Sequence, residues 1–505
     1  MAAAHRRRGV LRHLGARPAL GFYDHPPMVG WLLAALLRVS DSALVLRLPA
    51  VLLPPAVALG MAALVRALAG GAPDAERTAR AAALAWLLVP VQVVNVLVTT
   101  DTPLVLFAAL SMAAFVLAVR RDSSALFAAA GVALGLAFLE VLRGARRARL
   151  RRICARVQPG ARRVRARAWR GVAIVALAAA PCAALNLWWN YGHCWSNVLF
   201  NAFNRNEDAG FKWWRPLAFA AFVVYVSSPI LLWQLARRRD AVRAALATPE
   251  RRALWVLAAA PLAVFAAIAP FRDIGLHWLL AFVPALFAAG ALALGPRALA
   301  ASVRFLAGFS ALHVLLIVLV AAAPIETFQR LRQYGSIVQG ARAGELLAAL
   351  KGYEGKYAFA ADGFSPAAIL AYNAARAGFV TQPAAREPWR RHYVFVLGST
   401  SHHGRHDDFL TDLRALDGRD ILVVRKQPPD RAAYERWFDR VELREATVRG
   451  ATFYFVLGHG FRFAPYRDTL LAAVRDRYYR VPRFLPQGGC SFCARYFDAG
   501  ACPAR

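Results

Sequence analysis

The sequence predicts a polytopic α-helical membrane protein of about nine spans, followed by a C-terminal soluble domain of α/β type. Three observations predict it. The 505-residue chain is 58% hydrophobic with a mean hydropathy of +0.39, too apolar for an ordinary soluble protein. Apolar runs of about 20 residues, the length that crosses a bilayer, recur through the first two thirds. Beyond Pro324 these runs stop, and charged residues appear every few positions.

In order, the runs lie at 42–68, 80–99, 102–119, 124–142, 171–189, 215–236, 253–270 and 277–295, with a ninth at 302–323. Loops before 80, at 119–124 and at 236–253 carry excess Arg and face the cytoplasm by the positive-inside rule. Alternation puts the turn at 23–27, Asp101, the loop 270–277 and the C-terminal domain on the far side. It fails at 143–170, where 12 of 28 residues are Arg and none is acidic. At roughly 2.5–3.5 kcal/mol per central Arg, that stretch cannot span lipid. Its Ala/Arg/Gly composition, shared by the basic N-terminus 1–18, is what an out-of-frame reading of a GC-rich gene produces. That N-terminus has no apolar h-region and does not read as a signal peptide. The expected domains are therefore 1–18, a membrane domain 19–324 containing the anomalous 143–170, and a periplasmic domain 325–505.

The formal net charge of +33 does not imply nucleic acid. The excess is almost all Arg, Lys212, Lys351, Lys356 and Lys426 being the only lysines, and no nucleic-acid module is present. Within 325–505, β-type runs (YAFAAD, HYVFVLGS, DILVVRK, ATFYFVLG) alternate with helical stretches such as DRAAYERWFDRVE. Cys490-x-x-Cys493 is half a zinc motif without a second pair, so a disulfide from Cys502 to one of the two is the better reading.

The far-side segments hold the groups suited to chemistry. In Tyr23-Asp24-His25-Pro26-Pro27, two prolines stiffen a turn that presents a carboxylate and an imidazole at the water–lipid boundary. Asp24 and His25 suit a divalent metal ion or acid–base work, the alternative being a plain polar turn. Asp101, at a span junction, is either a helix N-cap or a second carboxylate. Two such carboxylates suit general-base work on an acceptor, or a divalent ion bridging to a phosphate. The loop at 189–214 interleaves Trp and Phe with Asn190, His193, Asn204, Arg205, Asn206, Glu207 and Lys212. Its rings form an interfacial belt or stack on sugars, and Arg205 and Lys212 can pair a phosphate. Arg272, Asp273 and His277 lie on the same side. At 401–412, His402, His403, His406, Asp407 and Asp408 lack metal-ligand spacing and read as a solvated loop capping a helix.

YDHPPMVGWLL, followed about 75 residues later by TTDTPLVLFAAL and then by GVALGLAFLE, resembles the bacterial GT-C membrane glycosyltransferases of the family 39 type. These are related to dolichyl-phosphate-mannose-protein mannosyltransferases and lipid A aminoarabinose transferases. The resemblance covers 19–142 and 170–324. It implies a GT-C-like fold, catalysis by far-side carboxylates and a polyprenyl-phosphate sugar donor. By position, Asp24 matches the acidic residue that helps bind metal or donor, and Asp101 the second acidic site residue. Two departures stand out. HRRRGVLRHLGARPAL, without an acid, occupies the place of the family's first helix and acidic D-E motif. Phe138-Leu139-Glu140-Val141 lacks its phosphate-binding lysine.

The expected function is transfer of a sugar from a polyprenyl-phosphate donor to a lipid, glycan or protein acceptor at the periplasmic face of a bacterial inner membrane. Asp24 and Asp101 are its expected catalytic residues, and His25, Arg205 and Lys212 its donor-phosphate ligands. The bilayer and the lipid-linked donor are the expected partners. Two rivals stay open: a transporter or flippase for a lipid-linked sugar, which would show inverted repeats and mid-span ionisable groups, and a remnant without activity.

Overall fold

The computed structural model describes residues 17–42, 44–95, 102–139, 161–204, 210–398 and 405–497. As far as residue 322 its helices are α1 (Met28–Leu37), α2 (Leu48–Ala69), α3 (Ala75–Leu87), α4 (Pro90–Asn95), α5 (Thr102–Arg121), α6 (Ser124–Phe138) and α7 (Ala161–Gly192). There follow α8 (Ser196–Ala202), α9 (Arg215–Ser227), α10 (Pro229–Arg237), α11 (Arg239–Ala245), α12 (Pro249–Ile268) and α13 (Val283–Ala322). The chain divides into two compact units. One is Ser42–Asn186 with Asn206–Leu319, the membrane unit; the other is Met1–Asp41, Leu187–Arg205 and Val320–Arg505, the C-terminal unit.

Among the described residues, five helices are long and apolar enough to cross a membrane: Val45–Ala69, Thr102–Arg121, Trp169–Gly192, Pro249–Ile268 and Val283–Ala322. The pair α9 and α10, bent by 94° at Ser228, is a sixth apolar stretch, either a broken span or a re-entrant loop. The chain is thus a multi-pass membrane protein, with its apolar runs divided differently from the nine expected. The runs 277–295 and 302–323 share the 40-residue α13, kinked at Gly295, whose φ of +75° precedes Pro296. The run 80–99 breaks because Pro90 cannot continue the ladder of α3. At 15 residues, α6 is short for a span. Residues 1–16 and 140–160, most of the two anomalous basic stretches, lie outside the described residues, while the backbone of 161–170 is the start of α7.

The membrane unit packs around Trp86, Leu254, Phe287 and Leu299, all 1% exposed or less. Gly131 lets α6 approach α7: a Cβ there would meet the Val175 carbonyl oxygen at 2.5 Å and Ala178 Cβ at 2.7 Å. Arg215, 6% exposed, donates to both Asp273 oxygens at 2.8 and 3.1 Å and to the carbonyls of Gly210 and Phe271. Asp273, read from sequence as a far-side candidate, is therefore held in this fork.

The C-terminal unit is built on five strands: β1 (Ala358–Ala361), β2 (Phe395–Val396), β3 (Ile421–Arg425), β4 (Phe438–Val448) and β5 (Ala451–Phe461), in the order β2-β1-β3-β5-β4. β1 runs parallel to β2 and β3, while β5 is antiparallel to β3 and β4. Both faces are covered, so alternate residues enter two cores. Ala358, Ala360, Ile421 and Val423 join one with Tyr23 and Tyr479, while Phe359, Ala361, Leu422 and Val424 join the other. The run DRAAYERWFDRVE is helical only to Trp437, and Phe438 begins β4. Arg449 and Gly450, at φ +51° and +77°, make the two-residue β4–β5 turn.

Candidate functional site

Asp24 is the buried charge of a site that lies wholly within the C-terminal unit. Its turn runs into α1, with Pro27 as N-cap and the Trp31 amide donating to the Pro27 carbonyl at 3.0 Å. Tyr23 is fully buried, its ring edge-on to Phe200 at 5.8 Å and Tyr479 at 6.1 Å. Gly21 is pressed onto the Trp189 indole, where a Cβ would stand 2.3 Å from the nearest ring atom. From α8, Asn197 Nδ2 donates to the carbonyls of Phe22 and Tyr23 at 3.3 and 3.4 Å.

The segment before α8 is itself fastened. Cys194 and Trp195 take left-handed φ values of +57° and +53°, uncommon for non-glycine residues. Several bonds hold them there. The Cys194 amide donates to the Gly489 carbonyl, Trp195 Nε1 donates to the Pro486 carbonyl at 2.9 Å, and Cys194 is disulfide-bonded to Cys490. Cys490 is thus joined to Cys194, and Cys502, expected to bond one of the pair, lies outside the described residues. Cys493 is also disulfide-bonded, so the pair is no half zinc site. Asn190, Asn197 and Asn204 each hydrogen-bond backbone groups of this unit, and His193 stacks on Trp189 at 4.3 Å with Nδ1 2.8 Å from the Trp189 carbonyl. These residues of the aromatic loop are scaffold for the Asp24 turn.

Asp24 is 5% exposed. Its Oδ2 lies 3.4 Å from Arg405 Nη1 and 3.8 Å from His25 Nε2. Among the described residues, Oδ1 has no hydrogen-bond partner. Burial pushes the carboxyl up, but the charges of His25, Arg405 and His406 together hold it below the usual carboxylate range. It is a carboxylate at neutral pH, with one oxygen directed at nothing described.

Arg405 is the residue that sequence reasoning missed. It sits at φ +53° with its guanidinium 5.2 Å from the Phe200 ring centre. The loop is not the solvated one expected. His406 and Asp407 are buried, and Asp407 accepts hydrogen bonds from the Tyr393 hydroxyl, the Thr411 hydroxyl and the Val396 amide. Asp408 accepts from the Tyr479 hydroxyl at 2.6 Å, and burial, with Asp407 beside it, pushes its carboxyl up to about 7. His402 and His403 lie outside the described residues, as do Asp101 and Arg205. Lys212 is exposed in the membrane unit, its amide donating to the Pro270 carbonyl.

The described groups facing Asp24 are His25, Arg405 and His406: three bases and no second carboxylate. No group of three or more His, Cys, Asp or Glu side chains converges anywhere among the described residues. Among the described residues this set can pair an anion, and Asp101, the expected second carboxylate, lies outside them. The arrangement can therefore hold a phosphate against Arg405 and offer Asp24 Oδ1 to a hydroxyl.

A family model described as dolichyl-phosphate-mannose-protein mannosyltransferase matches residues 24–142, beginning at Asp24 itself. The lipid A galacturonosyltransferase RgtD of Rhizobium johnstonii is 29% identical over 251 residues, 47% of this chain and 49% of that protein. The chain thus spans about half the length of this curated relative. The crystal structure of ArnT from Cupriavidus metallidurans in the apo state aligns over 90% of this chain and 93% of its own, at a TM-score of 0.51 and 15% identity. At that identity the likeness is one of fold.

Proposed function

We propose that this chain, which resembles the GT-C membrane glycosyltransferases of the family 39 type, transfers a sugar from a polyprenyl-phosphate donor to an acceptor at the periplasmic face of the inner membrane. One observation carries the reading: a buried, ionised Asp24 with an oxygen that no described group bonds, among bases, on a turn stiffened by Pro26 and Pro27. In the reaction the acceptor oxygen attacks the anomeric carbon as the bond to the phosphate oxygen breaks. The polyprenyl phosphate leaves with the electron pair. Asp24 Oδ1 orients the acceptor hydroxyl and receives its proton, and its low pKa favours late proton transfer. Arg405 and His25 neutralise the charge that grows on the departing phosphate. Asp101 enters the reading as the second carboxylate that the resemblance implies. The Cys194–Cys490 disulfide supports the oxidising, periplasmic side for this unit.

The test is transfer of label from radiolabelled polyprenyl-phosphate sugars in membranes holding the wild type, Asp24→Asn or Arg405→Gln. Transfer by the wild type that drops on the order of a hundredfold in Asp24→Asn is the expected result. Equal label in all three rejects the site, and no label from any donor rejects the activity.

A further inference from the structure

We propose that the C-terminal unit carries a second ligand site, an open cleft of about 430 Å³ at the N-terminal ends of β1 and β3, that takes a phosphomonoester group. It goes beyond the Asp24 chemistry and shares none of its residues. The cleft is built by register. Ala358 pairs with Ile421 in the parallel β1–β3 ladder, and the Ala358 amide donates to the Asp420 carbonyl. Just before these strands stand Lys356, in the turn that leads into β1, and Arg419, in the turn that leads into β3. Both line the cleft, and both are exposed.

Neither cation has a carboxylate partner among the described residues. Lys356 Nζ donates to the Gly352 carbonyl at 3.0 Å, and Arg419 Nε to the Ala415 carbonyl at 3.2 Å. The two acids on the wall are already satisfied. Asp412 takes the Arg414 fork at 3.0 and 2.7 Å, and Asp420 lies 2.8 Å from His459 Nδ1 and accepts from the Gly460 amide at 3.0 Å. At the rim, Trp389 is capped by the guanidinium groups of Arg17 and Arg390, which share the Glu387 carboxylate at 3.9 and 2.9 Å, so this wall is not a bare ring. Two cations lining one cleft, neither with a carboxylate partner among the described residues, match a phosphomonoester, which carries close to two negative charges at neutral pH. The volume is that of a small-molecule site. Inorganic phosphate, a soluble sugar phosphate and the headgroup of a phosphorylated glycolipid all present this chemistry.

The experiment is calorimetric titration of the full chain in detergent with inorganic phosphate, glucose 1-phosphate, glucose, and mixed micelles of a phosphorylated glycolipid. Saturable binding of at least one phosphorylated probe is expected, with glucose silent. The probe bound tightest identifies the source. Lys356→Gln and Arg419→Gln each weaken binding about tenfold, and raised salt weakens it in the wild type. Asp24→Asn leaves the binding that depends on Lys356 and Arg419 unchanged, so loss of transfer and loss of anion binding in the cleft are read separately. No saturable binding of any phosphorylated probe, affinity equal to wild type in both single variants, or affinity indifferent to salt overturns the proposal. Should one variant melt early, the other variant and the salt titration still decide.

Discussion

Arg405 Nη1 stands 3.4 Å from Asp24 Oδ2, although 381 residues of chain separate them. The contact joins the turn before α1 to the loop that follows β2. It gives the buried carboxylate a permanent counter-charge while leaving its other oxygen open.

Replacing Arg405 by Gln removes the guanidinium whose charge helps hold the Asp24 carboxyl low, so the carboxyl titrates higher. A depressed carboxyl contributes stability above its unfolded value that is lost as pH falls through the folded one, and the variant has less of it. The acid limb of the rate–pH profile is therefore expected to move to higher pH, with a loss of about tenfold or more at neutral pH. Arg405→Lys should recover part of the rate and shift the limb back. A profile superimposable on wild type would falsify the pairing's role.

Asp408 predicts the opposite sign. Its carboxyl is raised to about 7, above an unfolded value near 4, so it folds protonated through that window while the unfolded chain is already ionised. Stability falls as pH climbs from about 4 to about 7 and stays reduced above it. Asp408→Asn keeps an acceptor for the Tyr479 hydroxyl and cannot ionise. Melting curves should show a gain of a few degrees at pH 8 and little change at pH 4. An equal gain at both values would assign the effect to packing.

Legibility from sequence followed locality. The Asp24-His25-Pro26-Pro27 turn was readable because prolines restrict the backbone wherever they stand. Apolar runs that read as strands contain β1, β2, β3 and β5, since both faces of the sheet are covered and the alternation collapses into continuous runs. Arg405 was not readable: one arginine among so many carries no signal, and its partner is set by tertiary packing. Asp407 and Asp408 read as solvated because acids usually are; Thr411, which donates to Asp407, is local, but the Tyr393 and Tyr479 hydroxyls that donate to the two carboxylates come from other segments. Cysteine spacing does not give connectivity, which is why the bond from Cys490 to Cys194, 296 residues away, was not readable.

The Cys194–Cys490 bond closes a loop with a sequence separation of 296, so its removal loosens the unfolded chain and frees the anchor of α8 together. Cys490→Ser is expected to cost about 2–4 kcal/mol in unfolding free energy. It should also make Cys194 reactive to a thiol probe without reductant. A melting temperature unchanged by the substitution and by reductant would show that the hydrogen bonds from Cys194 and Trp195 suffice alone.

Gly21 tests whether the turn's position, and not only its residues, matters. An added methyl would overlap the Trp189 ring, with ring atoms at 2.3, 2.6 and 2.7 Å, and Trp189 is itself stacked on His193 and packed edge-on against Phe409 at 6.1 Å. The indole has little room to yield, so the chain leading into Asp24 must shift instead. Asn197, which holds the carbonyls of Phe22 and Tyr23, marks the opposite wall of the same turn. Gly21→Ala is therefore expected to lower kcat on the order of a hundredfold while the protein still inserts in membranes, a displacement of about 1 Å being enough for such a loss. Asn197→Ala, which releases the turn without pushing it, should lose less. A Gly21→Ala enzyme with wild-type kcat would mean that the turn tolerates displacement and that Asp24 does not need the position the scaffold gives it.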